Sequence, residues 1–107
     1  MTDITPRQLK ARLDAGETLT VIDVREGWEL ALSRVSFATH IPMNDIPARL
    51  ADVPHDVPVV IMCKVGGRSA QVAAYLHGQG FDNVLNLSGG ILGWATDCDP
   101  SLPTSYR

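Results

Sequence analysis

One short stretch of the sequence combines a thiol, two glycines and two cations. Residues 61–70 read Ile-Met-Cys-Lys-Val-Gly-Gly-Arg-Ser-Ala. An apolar run ends at Cys63, a short loop follows, and a helical pattern begins near Arg68. The spacing therefore predicts a strand, a tight loop and a helix N-terminus, with the thiol at the first position of the loop.

This arrangement is typical of a reactive thiolate. A helix N-terminus carries roughly half a positive charge and several unpaired amide donors. Gly66 and Gly67 allow successive N–H groups to point inward as an anion-binding nest. Lys64 and Arg68 add two full charges, so we expect the pKa of Cys63 to fall below the free value of about 8.5. The alternative, a buried structural cysteine, explains the apolar run but neither the glycine pair nor the cations.

The composition limits the classes of protein to which the chain can belong. Its 107 residues predict a single domain, with 99–107 as an extended tail. The net charge of −3 argues against nonspecific nucleic-acid binding, and no apolar run approaches the roughly 20 residues of a membrane span. Cys63 and Cys98 are too few for a disulfide framework and lack metal-type spacing. With no signal-peptide pattern in residues 1–20, we expect a cytoplasmic protein.

The elements that must position the thiol alternate along the chain. A capping box at Thr5 and Gln8 predicts a helix from Pro6, and Asn44 or Asp45 is the predicted cap of a later helix ending at Leu50. The other predicted segments are strands at 19–24, 38–41, 59–62 and 83–87 and helices at 26–32, 68–77 and 91–95. Such alternation predicts a parallel sheet with helices on both faces, and places Cys63 at the carboxyl edge of a central strand.

Charged residues also follow the strand at 19–24. Asp23 and Arg25 stand where open α/β sheets place their sites. They either support the chemistry or satisfy local backbone and salt-bridge partners, and the second interpretation is the simpler one. His40, His55 and His77 are interpreted as surface or loop residues, because a thiolate of low pKa needs no histidine base.

Four segments together resemble the rhodanese family of sulfurtransferases. The segments are Asp23-Val24-Arg25 with Glu26 and Glu29, the stretch 34–42, the loop 63–69 and the Gly-Gly-x-x-x-Trp ending within 87–94. The resemblance implies a three-layer α/β/α fold around a central, mainly parallel five-stranded sheet. It implies ping-pong transfer of sulfur from a donor such as thiosulfate through a Cys63 persulfide, without cofactor or metal. Substrate binding would fall to Lys64, Val65, Gly66, Gly67, Arg68 and Ser69, with Asp23 and Arg25 in support.

The tail narrows the resemblance. Together with the loop, residues 99–103 look like the rhodanese domain at the C-terminus of the adenylyltransferases of molybdopterin and thiamine sulfur transfer. This implies small sulfur-containing anions as partners and a sulfur-carrier or acceptor protein as a further candidate. Two features depart from the family pattern: Ser36-Phe37 replaces the usual Pro-Gly, which would alter the turn and substrate access, and Cys98 has no place in the motif.

Two alternatives stay open beside a small-molecule sulfurtransferase. A protein-directed sulfur carrier would show little activity with cyanide. A cysteine-dependent phosphatase or arsenate reductase of the same fold would have five residues between the cysteine and the arginine, whereas four lie between Cys63 and Arg68. The shorter loop favours one sulfur atom over a whole phosphate.

Overall fold

A computed structural model describes residues 3–106 of the chain; Met1, Thr2 and Arg107, which the predicted domain also includes, lie outside the described residues. The strands are β1 (Asp3–Ile4), β2 (Thr20–Asp23), β3 (Ala38–His40), β4 (Val59–Met62) and β5 (Val84–Leu87). The α-helices are α1 (Pro6–Asp14), α2 (Gly27–Leu32), α3 (Gly67–Gly78) and α4 (Gly90–Asp97), and a 3₁₀ segment spans Met43–Asp52.

The five strands form one parallel sheet in the order β1-β5-β4-β2-β3. The predicted parallel sheet is therefore confirmed, and β4 is its central strand. All four residues of β4 are buried, because both faces of a parallel sheet are covered by helices. The two-residue β1 was not among the predicted strands, since it is too short to show an alternating pattern.

Alternation along β4 divides the core into two layers. Ile61 and Cys63 belong to the cluster packed by α3 and the 3₁₀ segment. Val60 and Met62 belong to the opposite cluster, packed by α1 and α4. Successive side chains of a strand point to opposite faces, so the three-layer α/β/α arrangement is confirmed and Cys63 faces α3.

The start of α1 agrees with the prediction from the sequence, but the start of the 3₁₀ segment does not. The capping box predicted at the start of α1 is confirmed, with Gln8 N donating to Thr5 Oγ1 at 3.1 Å. The predicted cap at Asn44 or Asp45 is wrong. The 3₁₀ segment begins at Met43 after Pro42, with no side-chain cap bond. Pro47 within it has no N–H to donate, which disfavours a regular α-helix there.

The segment after α4 contains no helix or strand through residue 106. It nevertheless returns to the body of the protein, because Leu102 and Tyr106 pack against the core layer formed with α1 and α4. Within residues 3–106, every helix is too short or too polar to cross a membrane.

Candidate active site

The loop after β4 folds around the sulfur atom of Cys63. Gly66 adopts φ 109°, a left-handed conformation that favours glycine, and is the N-cap of α3. This turn directs the Gly66 amide at Cys63 Sγ, 3.1 Å away. The Ser69 hydroxyl, in the first turn of α3, lies 3.2 Å from the same sulfur. The predicted strand, loop and helix N-terminus are confirmed, and the Gly66 amide and the Ser69 hydroxyl converge on the thiol.

These neighbours shift the pKa of the thiol. Cys63 is 1% exposed, and burial on its own would raise its pKa. The Ser69 hydroxyl and the backbone amides of Ser69, Gly66 and Val65 act in the opposite direction and prevail, so the pKa of Cys63 is lowered from its ordinary value. The second cysteine differs, because burial and the nearby Asp97 carboxylate raise the pKa of Cys98.

Asn86 extends this network into the neighbouring strand. Ser69 Oγ donates to Asn86 Oδ1 at 2.5 Å, and Asn86 Nδ2 donates to the Gly66 carbonyl oxygen at 3.4 Å. Asn86 is 7% exposed in β5, beside β4. It was not among the predicted site residues. The available signal was a polar side chain inside the otherwise apolar strand at 84–87.

The start of α4 holds the backbone of the same loop. Ile91 N donates to the Cys63 carbonyl at 2.9 Å, and Leu92 N donates to the Lys64 carbonyl at 3.2 Å. Gly90 has φ 60°, and a Cβ there would lie 2.3 Å from the Lys64 oxygen. Only glycine allows this approach, which gives the Gly-Gly-x-x-x-Trp ending a physical role in shaping the loop.

The charge of Arg68 is paired with a carboxylate, whereas the sequence led us to count Lys64 and Arg68 as two full charges beside the thiol. Its guanidinium binds both oxygens of Glu29 on α2 at 2.7 and 2.8 Å. Glu29 is 2% exposed, and the bidentate pair is the main reason that its pKa falls to about 2. Arg68 therefore joins the start of α3 to α2, and its remaining field at the thiol is reduced by the carboxylate.

Asp23 and Arg25 form a second ion pair below the carboxyl edge of the sheet. Arg25 is fully buried and bonds to both oxygens of Asp23, at 2.8 Å for the shortest contact. It also donates to the Ser33 carbonyl at 2.7 Å. These contacts match the simpler interpretation of the sequence, in which both residues satisfy local partners. No hydrogen bond joins either side chain to Cys63 within residues 3–106.

Tyr106 from the tail lies against this edge and was missed by the sequence analysis. Its hydroxyl donates to Glu29 Oε1 at 2.8 Å and accepts from Arg25 Nη1 at 3.3 Å. Lys64 Nζ lies over its ring, 4.6 Å from the centroid. A C-terminal tyrosine in a Pro- and Ser-containing stretch carries no periodic signal, so its position depends on tertiary structure alone.

The remaining predicted residues take different positions. Val65 is 59% exposed at the rim of the loop, and Gly67 is the first residue of α3. Phe37, at the departure from the family pattern, packs edge-to-face on Trp94 with ring centroids 5.1 Å apart. The Phe37 side chain therefore packs against α4.

The histidines do not contact the thiol. His55 is exposed and stacks on Phe81. His40 and His77 lie in β3 and α3 and not in loops, and the side chain of each remains partly exposed. Each of these two bonds to a backbone carbonyl oxygen, of Arg25 and Val84 respectively. The described residues contain no cluster of three or more His, Cys, Asp or Glu side chains that could hold a metal ion.

Comparison with known proteins places this site in a family. The profile of the rhodanese-like domain matches residues 5–97. A sulfurtransferase of Allochromatium vinosum is 42% identical over 93 residues, which cover 87% of each chain. The probable adenylyltransferase/sulfurtransferase MoeZ of Mycobacterium tuberculosis is 39% identical over 92% of this chain, a match that covers 26% of the longer protein.

Two further similarities bear on chemistry and fold. The thiosulfate sulfurtransferase GlpE of Actinobacillus pleuropneumoniae is 34% identical over 98% of this chain and 95% of its own. The crystal structure of a rhodanese-like domain protein from Staphylococcus aureus superposes with a TM-score of 0.84 and 33% identity, covering 99% of this chain and all of that one.

Proposed function

The chain belongs to the rhodanese-like domain family, with sulfurtransferases among its relatives, and on that premise we propose that it transfers a sulfane sulfur from an anionic donor to a thiophilic acceptor through a persulfide on Cys63. Thiosulfate is the proposed donor, since the similar GlpE protein is a thiosulfate sulfurtransferase. A thiol nucleophile acts in its reduced form, so a reducing, cytoplasmic compartment suits this activity.

One observation carries the proposal: hydrogen-bond donors converge on Cys63 Sγ. The Gly66 amide and the Ser69 hydroxyl lie 3.1 and 3.2 Å from the sulfur and lower the pKa of the thiol against the effect of burial. A persulfide anion carries its charge on the outer sulfur, one S–S bond or about 2 Å beyond Sγ, so the same donor-rich loop lies next to that charge as well. The site therefore favours both the nucleophile and the intermediate of the proposed reaction.

The chemistry balances without a cofactor. The Cys63 thiolate attacks the outer sulfur of thiosulfate, the sulfur–sulfur bond of the donor breaks, and sulfite leaves with the electron pair. A new sulfur–sulfur bond joins Cys63 to the transferred sulfur, which carries the negative charge. In the second half-reaction, cyanide or a thiolate attacks that outer sulfur and the Cys63 thiolate leaves. Attack and departure both need a thiol of low pKa.

Two features speak against a phosphatase of the same fold. The loop is nearly closed around Cys63, which is 1% exposed, so it suits a small reacting atom better than a phosphate ester. The Arg68 guanidinium, which would bind phosphate oxygens, already binds both oxygens of Glu29. We expect no hydrolysis of phosphate esters that depends on Cys63.

A protein acceptor is the second candidate for the other half of the reaction. The similar MoeZ combines an adenylyltransferase with a sulfurtransferase, which favours a sulfur-carrier protein as acceptor. This version of the function predicts slow turnover with cyanide and fast transfer from the persulfide to the carrier. Single-turnover transfer from persulfidated protein to cyanide, a small thiol and a ubiquitin-like carrier separates the two versions.

Steady-state kinetics test the proposed reaction. Initial rates with thiosulfate and cyanide should give the parallel double-reciprocal lines of a ping-pong mechanism. Cys63→Ser should abolish turnover, and Cys98→Ser, the matched control, should retain it because Cys98 lies at the end of α4 outside the loop. Intersecting lines, or turnover that survives in Cys63→Ser, would refute the persulfide route.

A further inference from the structure

The tail of the chain ends on the active site. Tyr106 follows a stretch with no regular structure, yet its side chain touches three separate segments. These are the segment after β2 through Arg25, α2 through Glu29, and the active-site loop through Lys64. Tyr106 packs against the core layer formed with α1 and α4 and remains partly exposed, and these polar and cation contacts are additional to that packing.

The ring of Tyr106 holds the cation of the loop. Lys64 Nζ lies 4.6 Å from the ring centroid, a distance at which the negative face of an aromatic ring attracts an ammonium group. Among residues 3–106, Lys64 has no carboxylate within salt-bridge distance, whereas Arg68 and Arg25 are each paired with one. A ring fixes the position of a cation without cancelling its charge, which a carboxylate would do.

The hydroxyl of Tyr106 binds the carboxylate that pairs with Arg68, at the other end of the loop. It donates to Glu29 Oε1 at 2.8 Å, and the same carboxylate binds the Arg68 guanidinium. Burial raises the pKa of Tyr106, so the phenol stays protonated and able to donate at neutral pH. Tyr106 thus contacts Lys64 at the start of the loop directly, and it reaches Arg68 at the end of the loop through Glu29.

We propose that Tyr106 is a positioning residue of the active site, whose ring keeps the Lys64 ammonium at the mouth of the Cys63 loop so that anionic sulfur donors are preferred over neutral ones. The inference rests on the proposed function for its substrate class. The placement of Lys64 by Tyr106 is a separate physical claim and can be measured without sulfur transfer.

The measurement is the selectivity of the Cys63 thiol between an anionic and a neutral reagent. Alkylation rates with iodoacetate and iodoacetamide are determined at fixed pH in a Cys98→Ser background, and their ratio reports the local charge because both reagents meet the same thiolate. Variants are Tyr106→Leu, Lys64→Gln and the double variant, with Tyr106→Phe retaining the ring. Tyr75→Leu is the matched control, since Tyr75 is an exposed tyrosine on α3 in a groove with the 3₁₀ segment.

We expect a pattern of changes in the alkylation ratio across the variants and not one loss of reactivity. Lys64→Gln and Tyr106→Leu should each lower the iodoacetate-to-iodoacetamide ratio about three- to fivefold, the range of one partly screened charge. The double variant should lower it no further, because both changes remove the same effect. Tyr106→Phe and Tyr75→Leu should stay within about twofold of the parent. If Tyr106→Leu unfolds by circular dichroism, Tyr106→Gln replaces it as the variant without a ring.

Two results would overturn the inference: a ratio within twofold of the parent in the variant without a ring, or effects that multiply in the double variant. The proposed function fails in a different way. If thiosulfate leaves no persulfide on the parent protein, the reaction is wrong while the alkylation ratios still decide the role of Tyr106. Where the persulfide forms, Tyr106→Leu should raise KM for thiosulfate about three- to fivefold.

Discussion

At the level of single residues, the hydrogen bonding of Ser69 changes with the protonation of the Cys63 thiol. The Ser69 hydroxyl has one proton and two neighbours that can accept it, Cys63 Sγ at 3.2 Å and Asn86 Oδ1 at 2.5 Å. With a neutral thiol, the S–H can donate to Ser69 while Ser69 donates to Asn86. With a thiolate, the hydroxyl turns to the sulfur, because a hydrogen bond to a charged acceptor is the stronger one.

Ser69→Ala removes this donor and should raise the pKa of the Cys63 thiol, since a hydrogen bond to a charged group contributes roughly 1.5–3 kcal/mol. The pKa of Cys63 is lowered in the parent protein, so the parent reacts fully at a lower pH than the variant. The pH dependence of iodoacetamide alkylation measures both midpoints. Ser101→Ala is the control, because its hydroxyl bonds to Asp99 in the tail. An unshifted midpoint in Ser69→Ala would contradict the role given to this hydroxyl.

At the scale of the elements, two helices build one loop. The N-terminus of α3 supplies the donors to the thiol, and the N-terminus of α4 supplies the donors to the loop carbonyls of Cys63 and Lys64. The chain brings both together because β4 and β5 are neighbours, so the turns after them lie at the same edge of the sheet. The shape of the loop therefore depends on α4 as much as on its own glycines.

Gly90→Ala tests this dependence. The new Cβ would lie 2.3 Å from the Lys64 carbonyl oxygen and 2.6 Å from that of Cys63 at a φ of 60°, so the loop must move. We expect a loss of about 3 kcal/mol in the free energy of unfolding and persulfide formation slowed about tenfold or more. Denaturant unfolding and single-turnover mass spectrometry measure the two effects.

Gly78→Ala is the matched control for that substitution. Gly78 ends α3, and a Cβ there meets nothing within 4 Å. We expect a change in stability of no more than about 1 kcal/mol, in the stabilising direction, because alanine restricts the unfolded chain. Equal losses in the two variants would show that the contact between Gly90 and the loop has no special weight.

At the scale of the whole molecule, Glu29 joins distant parts of the sequence. Its carboxylate accepts from Arg68 on α3, from Tyr106 in the tail and from the Glu26 amide before α2. These bonds lower its pKa from 4.5 to about 2. A carboxyl whose pKa is depressed by folding stabilises the protein above its ordinary pKa, and this stabilisation disappears as the pH falls towards 2.

Glu29→Gln should therefore cost about 3 kcal/mol of unfolding free energy from neutral pH down to about pH 5. The difference from the parent should shrink as the pH falls below about 4.5, because the carboxyl of the unfolded parent then binds a proton, whereas the folded parent keeps its carboxylate down to about pH 2. Urea unfolding at several pH values measures the difference. Asp52→Asn is the control, since the Arg49–Asp52 pair is exposed and surface pairs contribute roughly 0–1 kcal/mol. A difference independent of pH would contradict the linkage.

The fold was predictable from the sequence where local patterns and tertiary structure agree. The apolar run at 59–62 became β4 with the same bounds, and the Thr5 capping box starts α1 as expected. The sequence pattern did not predict a strand too short to show alternation, nor a segment in which a proline changes the backbone hydrogen bonding. β1 has two residues, and Pro47 without an N–H accompanies a 3₁₀ segment where an α-helix was expected.

The parts of the site that are close in sequence were predictable, but the contacts between distant segments were not. Cys63, Gly66 and Ser69 are close in sequence, so their convergence follows from one loop. Asn86 and Tyr106 reach the same place from β5 and from the tail, and no local pattern connects them to the thiol. The pairing of Arg68 with Glu29 is likewise a tertiary contact across 39 residues, which is why the charge of the loop was overstated from the sequence.

Cys63 is proposed to carry the transferred sulfur, and the mass of the protein after one half-reaction measures whether it does. Reduced protein is incubated with thiosulfate in the absence of an acceptor and analysed by intact-mass and peptide mass spectrometry. We expect one added sulfur, about 32 Da, located on Cys63. It should be absent in Cys63→Ser and removed by cyanide. Folded, reduced protein that gains no sulfur, or gains it on Cys98, would rule out Cys63 as the sulfur carrier.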